Sequence, residues 1–189
     1  MTIADLQNEI NSINDLRFQE LVIDILNRSP VSFWEIPAST TGKYHPEYTL
    51  GRGGLVRHVK AATQILNYIL DLEYCKSLIP AVERDCMRVA ILIHDCEKCK
   101  HKHEHSRFEH PLIIANRVRN YKGMYENITD DELELIAQLC ESHMGEWHTS
   151  KHSPITLPKP HTYEQFIVHL ADFLASRKNI TISINKGNK

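Results

Sequence analysis

The run Val89-Ala90-Ile91-Leu92-Ile93 ends in His94-Asp95. Five consecutive apolar residues belong to an element that is covered on every side. An ionisable pair at the end of such an element is expensive to desolvate unless something pairs with it. The partner that best suits a neutral imidazole beside a carboxylate is a divalent metal ion. A chain with this segment must therefore build a core around it and bring further polar groups to its end.

Helical periodicity supplies that core. Ile13 to Asn27 is roughly amphipathic and stops before Ser29-Pro30. Leu55 to Leu72, Val82 to Asp95, Tyr163 to Arg177, and a stretch from Pro111 to about Tyr121 read as further helices. Thr129 or Asp130 caps another, which runs to about Met144. Pro111 suits a first helical position, with His110 near the cap. Two long loops interrupt the pattern: Phe33 to Gly54, punctuated by Pro37, Gly42, Pro46, Gly51 and Gly53, and the Pro-rich His148 to His161. Loops of that length in a compact domain are usually functional or disordered. Lys98 to Arg107 is a polar, His-rich connection, and the end of the chain, 180–189, reads as frayed or a short strand. There is no internal repeat and no inter-domain linker. The expectation is an all-α bundle of about six to seven helices, with residues 1–30 a helical extension, 31–180 the domain and 181–189 a tail.

Composition narrows the setting. A net charge of −2 gives no global attraction to nucleic acid or an anionic membrane. No apolar run approaches a membrane span, and the N-terminus lacks a basic-then-apolar signal pattern. Five cysteines are an odd number without the density of a disulfide scaffold, so the chain reads as a reduced, cytoplasmic protein.

Polar residues stand where apolar ones belong. His58 lies on or beside the stripe Leu55, Val59, Ala62, Leu66 and Ile69. His143 follows Leu133, Ile136, Ala137 and Cys140 at helical spacing. Asp172 sits in Leu170-Ala171-Asp172-Phe173-Leu174. Taken singly, an inward His is more often a satisfied core residue, and a buried Asp often caps a neighbouring helix. Jointly, three helices carry an inward His or Asp and a fourth ends in His-Asp. One shared metal site relieves the desolvation cost at every position.

With this pattern the chain resembles the HD-domain metal-dependent phosphohydrolases. The residues that carry the resemblance are His58 in GGLVRHVKAA, His94 and Asp95 in ILIHDCEK, and Asp172 in VHLADFLASR, with Lys98 completing a His-Asp-x-x-Lys form. His110 in EHPL and His143 in ESHMGEW match two further ligands of binuclear members. The loop Phe33-Trp34-Glu35-Ile36-Pro37-Ala38-Ser39, Gly53-Gly54-Leu55, Gly145-Glu146-Trp147 and His169-Leu170-Ala171-Asp172 are similar to the HD domain of bacterial 3′–5′ exoribonucleases. That family usually carries an OB-type nucleic-acid module ahead of the HD domain, and only about thirty residues precede the loop here. The expectation is a stand-alone HD protein of phage or bacterial type, without an OB module and without a membrane partner, in the cytoplasm (the host's, if phage-encoded). A homo-oligomer is left open.

The resemblance implies two divalent ions, drawn from Mn, Fe, Co, Ni, Zn or Mg. Asp95 would bridge them; His58, His94 and Asp172 would hold one, and His110 and His143 the other. Asp95 and Lys98 are the implied catalytic residues, Lys98 as a donor to phosphoryl oxygens. Its plainer reading is a solvated lysine at a helix end. The implied reaction is hydrolysis of a phosphodiester in a nucleotide or short oligonucleotide. The alternatives are a (deoxy)nucleotide phosphomonoesterase or triphosphohydrolase, often mononuclear, and a non-catalytic metal- or nucleotide-binding regulatory protein. The distance of His110 and His143 from Asp95 discriminates between one ion and two. Substrate selection is expected in the loops, through Lys43, Tyr44, His45 and Arg52 before His58, Trp147 and His148 after His143, and Arg177 after Asp172. Trp147 would stack on a base and a cation would hold a second phosphate; packing and surface charge are the plainer readings. Cys96-x-x-Cys99 followed by His101, His103 and His105 looks like a small zinc site but lacks a second spaced pair. The run Lys100 to His105 reads as a solvated loop or a lid. His169 is expected to support a ligand from behind.

Overall fold

A computed structural model describes residues 1–39, 41–43, 45–101, 106–180 and 182–183. Among them the chain forms α1 (Gln7–Ile10), α2 (Leu16–Asn27), α3 (Val31–Glu35), α4 (Gly54–Leu70), α5 (Glu73–Leu78), α6 (Ala81–Ile93), α7 (His110–Arg119), α8 (Asp130–Ser142) and α9 (Tyr163–Ala175). A two-stranded antiparallel hairpin, β1 (Thr149–Ser150) and β2 (Ser153–Thr156), precedes α9. Among the described residues the protein is all-α apart from this hairpin. No helix among the described residues is long and apolar enough to cross a membrane.

α6 is the central element. Every residue from Val89 to Ile93 is fully buried, because α2, α4, α8 and α9 all pack on this helix. A helix that is apolar all round is stable only in such a place. The apolar run therefore directs His94 and Asp95 into the interior, where both are at most 2% exposed.

The helix starts follow local chemistry. Asp15 caps α2 by accepting the Arg17 N–H at 3.0 Å. Thr129 and Glu132 form a reciprocal capping box on α8, and Thr162 accepts the Gln165 N–H on α9. α2 begins at Leu16, later than the periodicity from Ile13 suggests. Buried Asp85 of α6 accepts the backbone N–H groups of Asn14 and Asp15 at 2.9–3.2 Å and holds the chain in a turn there. Residues 1–30 contribute Leu6, Ile10, Phe18, Leu21 and Ile25 to the same core as the rest.

The loop between α3 and α4 is tied down. Gly53 N–H donates to Glu35 O, Leu55 N–H to Ile36 O and Ala38 N–H to Thr49 O, all at 2.9–3.0 Å. Arg57 adds bonds to the carbonyls of Tyr48, Leu50 and Arg52. At Gly54 an added Cβ would run into the Thr49 carbonyl, so only glycine lets the loop lie this close to the helix start.

Candidate metal centre

Five helices deliver six side chains to one point. His58 is on the second turn of α4, His94 and Asp95 follow the end of α6, and His110 opens α7. His143 follows α8, and Asp172 lies in the last turn of α9. The four histidines and Asp95 are each at most 3% exposed, and the Asp172 side chain is 19% exposed. Placing these side chains at helix ends lets the backbone orient them. His94, His110 and His143 each donate Nδ1–H to the carbonyl three residues upstream, of Ile91, Arg107 and Cys140, at 2.7–2.8 Å. These bonds assign the ring proton to Nδ1 and leave Nε2 with a lone pair.

The Nε2 atoms converge. His110 Nε2 is 3.2 Å from His143 Nε2 and 2.9 Å from Asp95 Oδ1. His143 Nε2 is 3.9 Å from the same oxygen. His94 Nε2 lies 3.6 Å from both Asp95 Oδ2 and Asp172 Oδ1, and has no hydrogen-bond partner among the described residues. His58 Nε2 sits 2.9 Å from Asp172 Oδ1. Three overlapping groups have ligand atoms within 4.8 Å of one another: His58, His94 and Asp95; His94, His143 and Asp172; Asp95, His110 and His143.

The electrostatics call for a cation. Burial alone would raise the Asp95 carboxyl, but Lys98 and His94 hold it well below the usual carboxylate range. Burial acts on Asp172 in the same direction and is outweighed by His58 and His94. Burial, with His94 and His110 nearby, pushes His143 down to about 3. His94 goes the other way: burial would lower it, yet Asp95 and Asp172 raise it. Two buried carboxylates thus draw positive charge towards an imidazole whose Nε2 is otherwise unpartnered. Facing lone pairs on His110 and His143 repel unless a cation lies between them. Divalent ions answer both demands, and an imidazole–carboxylate donor set suits them. The residues present fit the group.

A cavity of about 390 Å³ opens on His58, Asp95, His143 and Asp172. Lys98 and His45 line it, as do Trp147, Phe173, Ser176 and Arg177. Trp147 stacks on Phe173 with ring centroids 5.6 Å apart and an 18° tilt. The Arg177 guanidinium lies 4.3 Å from the Phe173 centroid and 5.4 Å from that of Trp147. Lys98 Nζ donates to Asp95 Oδ2 at 2.7 Å, so its first partner here is the carboxylate.

Not every loop residue expected at the substrate reaches this cavity. Lys43, Arg52 and His148 are absent from its walls. Arg52 is mostly exposed and pairs with Glu35 at 2.7 Å, and His148 Nδ1–H donates to Glu146 O at 3.2 Å. Exposed Lys43 lies in the loop before α4. Tyr44, most of the His-rich run (102–105) and most of the tail lie outside the described residues. Cys96 and Cys99 are buried, and neither belongs to a potential metal-ligand group among the described residues.

His169 supports His143 and not its helix neighbour Asp172. Its Nδ1–H donates to the His143 carbonyl at 2.7 Å. Its ring fills the space where a side chain on Gly145 would go, and Gly145 has φ +53°. Phe173, Ser176 and Met144 belong to the cavity without having been singled out from sequence. For Phe173 and Ser176 the available signal was proximity to Asp172 on α9.

A family model described as HD domain matches residues 55–177. Comparison with curated proteins and with solved structures gives no significant match. The matched stretch holds all six converging side chains and covers well over half of the chain. Members of this family are generally metal-dependent hydrolases that bind divalent ions. Sequence match and site geometry lead to one assignment: this chain belongs to the HD domain family.

Proposed function

We propose that the protein is a two-metal phosphohydrolase that cleaves a phosphodiester bond in a nucleotide-type substrate, a short oligonucleotide or a cyclic nucleotide. The observation that carries this reading is the division of the Asp95 carboxylate. Oδ1 faces His110 and His143, while Oδ2 faces His94 and Lys98. A carboxylate with imidazoles at both oxygens is suited to bridge two ions. A four-ligand, one-ion site would leave His110 and His143 without a role.

His58, His94 and Asp172 would hold one ion and His110 and His143 the other, with Asp95 shared. When bound, the ions would acidify a water and neutralise charge on the phosphoryl group. The chain supplies the rest. Carbonyl bonds to three Nδ1 atoms fix the donors before ligand arrives. Burial would lower Lys98, but Asp95 outweighs it and keeps the ammonium charged. From the cavity wall that ammonium can share its protons with a phosphoryl oxygen. Trp147 and Phe173 offer an apolar face for a base, and a cavity of this volume suits one nucleoside phosphate. Five buried free thiols support a reducing, cytoplasmic setting.

A nucleotide phosphomonoesterase or triphosphohydrolase is the second reading. It is favoured by Arg177, a further cation on the cavity wall that can hold an additional phosphate. Metal-loaded protein should be screened against cyclic nucleotides, cyclic dinucleotides, short RNAs and nucleotides. Diester cleavage that disappears in Asp95→Ala is the expected result. Release of phosphate from nucleotides alone would favour the second reading. A function retained by Asp95→Ala, with no hydrolysis of any substrate, would point to a regulatory binding protein.

A further inference from the structure

His45 precedes the stretch that matches the HD domain and belongs to none of the potential ligand groups. It nevertheless lines the same cavity as Asp95 and Lys98, with its ring centroid 6.0 Å from that of His58. Its Nδ1 is buried and has no hydrogen-bond partner among the described residues. A fold gains nothing from a buried polar nitrogen left unpaired.

The next residue is anchored. The Pro46 carbonyl accepts the Thr49 N–H at 3.0 Å and its hydroxyl at 2.7 Å, and the Thr49 carbonyl accepts the Ala38 N–H at 3.0 Å. A tied loop thus delivers an imidazole to the cavity wall with a hydrogen bond still to be made. An imidazole carries at least one N–H donor in either protonation state. Beside the Lys98 ammonium, the natural acceptor for that donor is an anionic oxygen.

We propose that His45 is a substrate-contacting residue, donating a hydrogen bond to a phosphoryl oxygen held beside Lys98. The proposal rests on the two-metal reading of the site. It gives the phosphate a protein donor on the His58 side of the cavity, supplied by the loop before α4. The contact fixes which phosphoryl oxygens face the metal centre and which way the leaving group points.

The test uses full-length Mn²⁺-loaded protein and inorganic phosphate as the probe, by titration calorimetry, with metal content measured on the same samples. His45→Ala should keep the wild-type metal content and bind phosphate at least about tenfold more weakly. His45→Asn, whose amide overlays Nδ1, should fall between the two. Unchanged phosphate affinity in His45→Ala overturns the proposal. Loss of metal in step with phosphate also overturns it, by making His45 part of the metal centre. A wild type that takes up metal but no phosphate overturns the proposal alone. A wild type that takes up neither refutes the two-metal reading and the proposal with it.

Discussion

At the scale of single residues, the centre depends on which ring nitrogen holds the proton. Three carbonyls settle that for His94, His110 and His143 before any ligand arrives. The carbonyl of His143 is in turn held by His169. His169→Ala should therefore cost about 1–2 kcal/mol of stability. It should also weaken metal binding on the His110–His143 side about 10- to 100-fold, read by metal titration. Gly145→Ala should act on the same place, through its positive φ and its collision with His169, and destabilise by about 1–3 kcal/mol in thermal melts. An unaltered metal titration in both variants would detach His169 from the centre. The six inward residues were legible in the sequence because each breaks an apolar pattern or matches a motif. His169 was legible only as a supporting residue, since its partner is a backbone carbonyl on another element. The missing reach of Arg52 was not legible at all, because its pairing with Glu35 depends on how the loop folds back.

Elements hold the donors apart at fixed spacing. α7 carries His110, α8 leads into His143, and the two helices pack together. Arg119 of α7 ties them by bonding Glu134 at 2.7 Å and Glu141 at 2.5 Å. Hydrogen bonds from Arg119 pull the Glu134 carboxyl down to about 2. Its folded value is depressed, so its contribution is complete above the unfolded value of about 4.5 and is lost as pH falls through 2. In chelator, metal-free wild type should lose about 1 kcal/mol more than Glu134→Gln between pH 5 and pH 2, measured by urea unfolding. Parallel pH profiles for the two proteins would contradict the strut. Six long helices were legible from 3.6-residue periodicity. α1, α3 and α5 were not, because four to six residues carry less than two turns of pattern. The β1–β2 hairpin escaped notice for a different reason: most of its side chains are exposed, so no apolar alternation marks it.

For the whole molecule, the buried run of α6 is both the centre of the core and the base of the site. Core and centre are therefore coupled, and ligands that bind only the folded chain should stabilise all of it. Mn²⁺ at about 100 times its Kd should add about 2.7 kcal/mol for each site it fills. Each filled site corresponds to a rise in Tm of about 5–10 °C over protein in chelator, absent in Asp95→Ala. The central claim is that Asp95 joins two ions, one on each side of its carboxylate. The most direct test is metal stoichiometry per chain, measured by mass spectrometry on protein saturated with Mn²⁺ and freed of excess. The account predicts two ions in wild type, and one or none would contradict it.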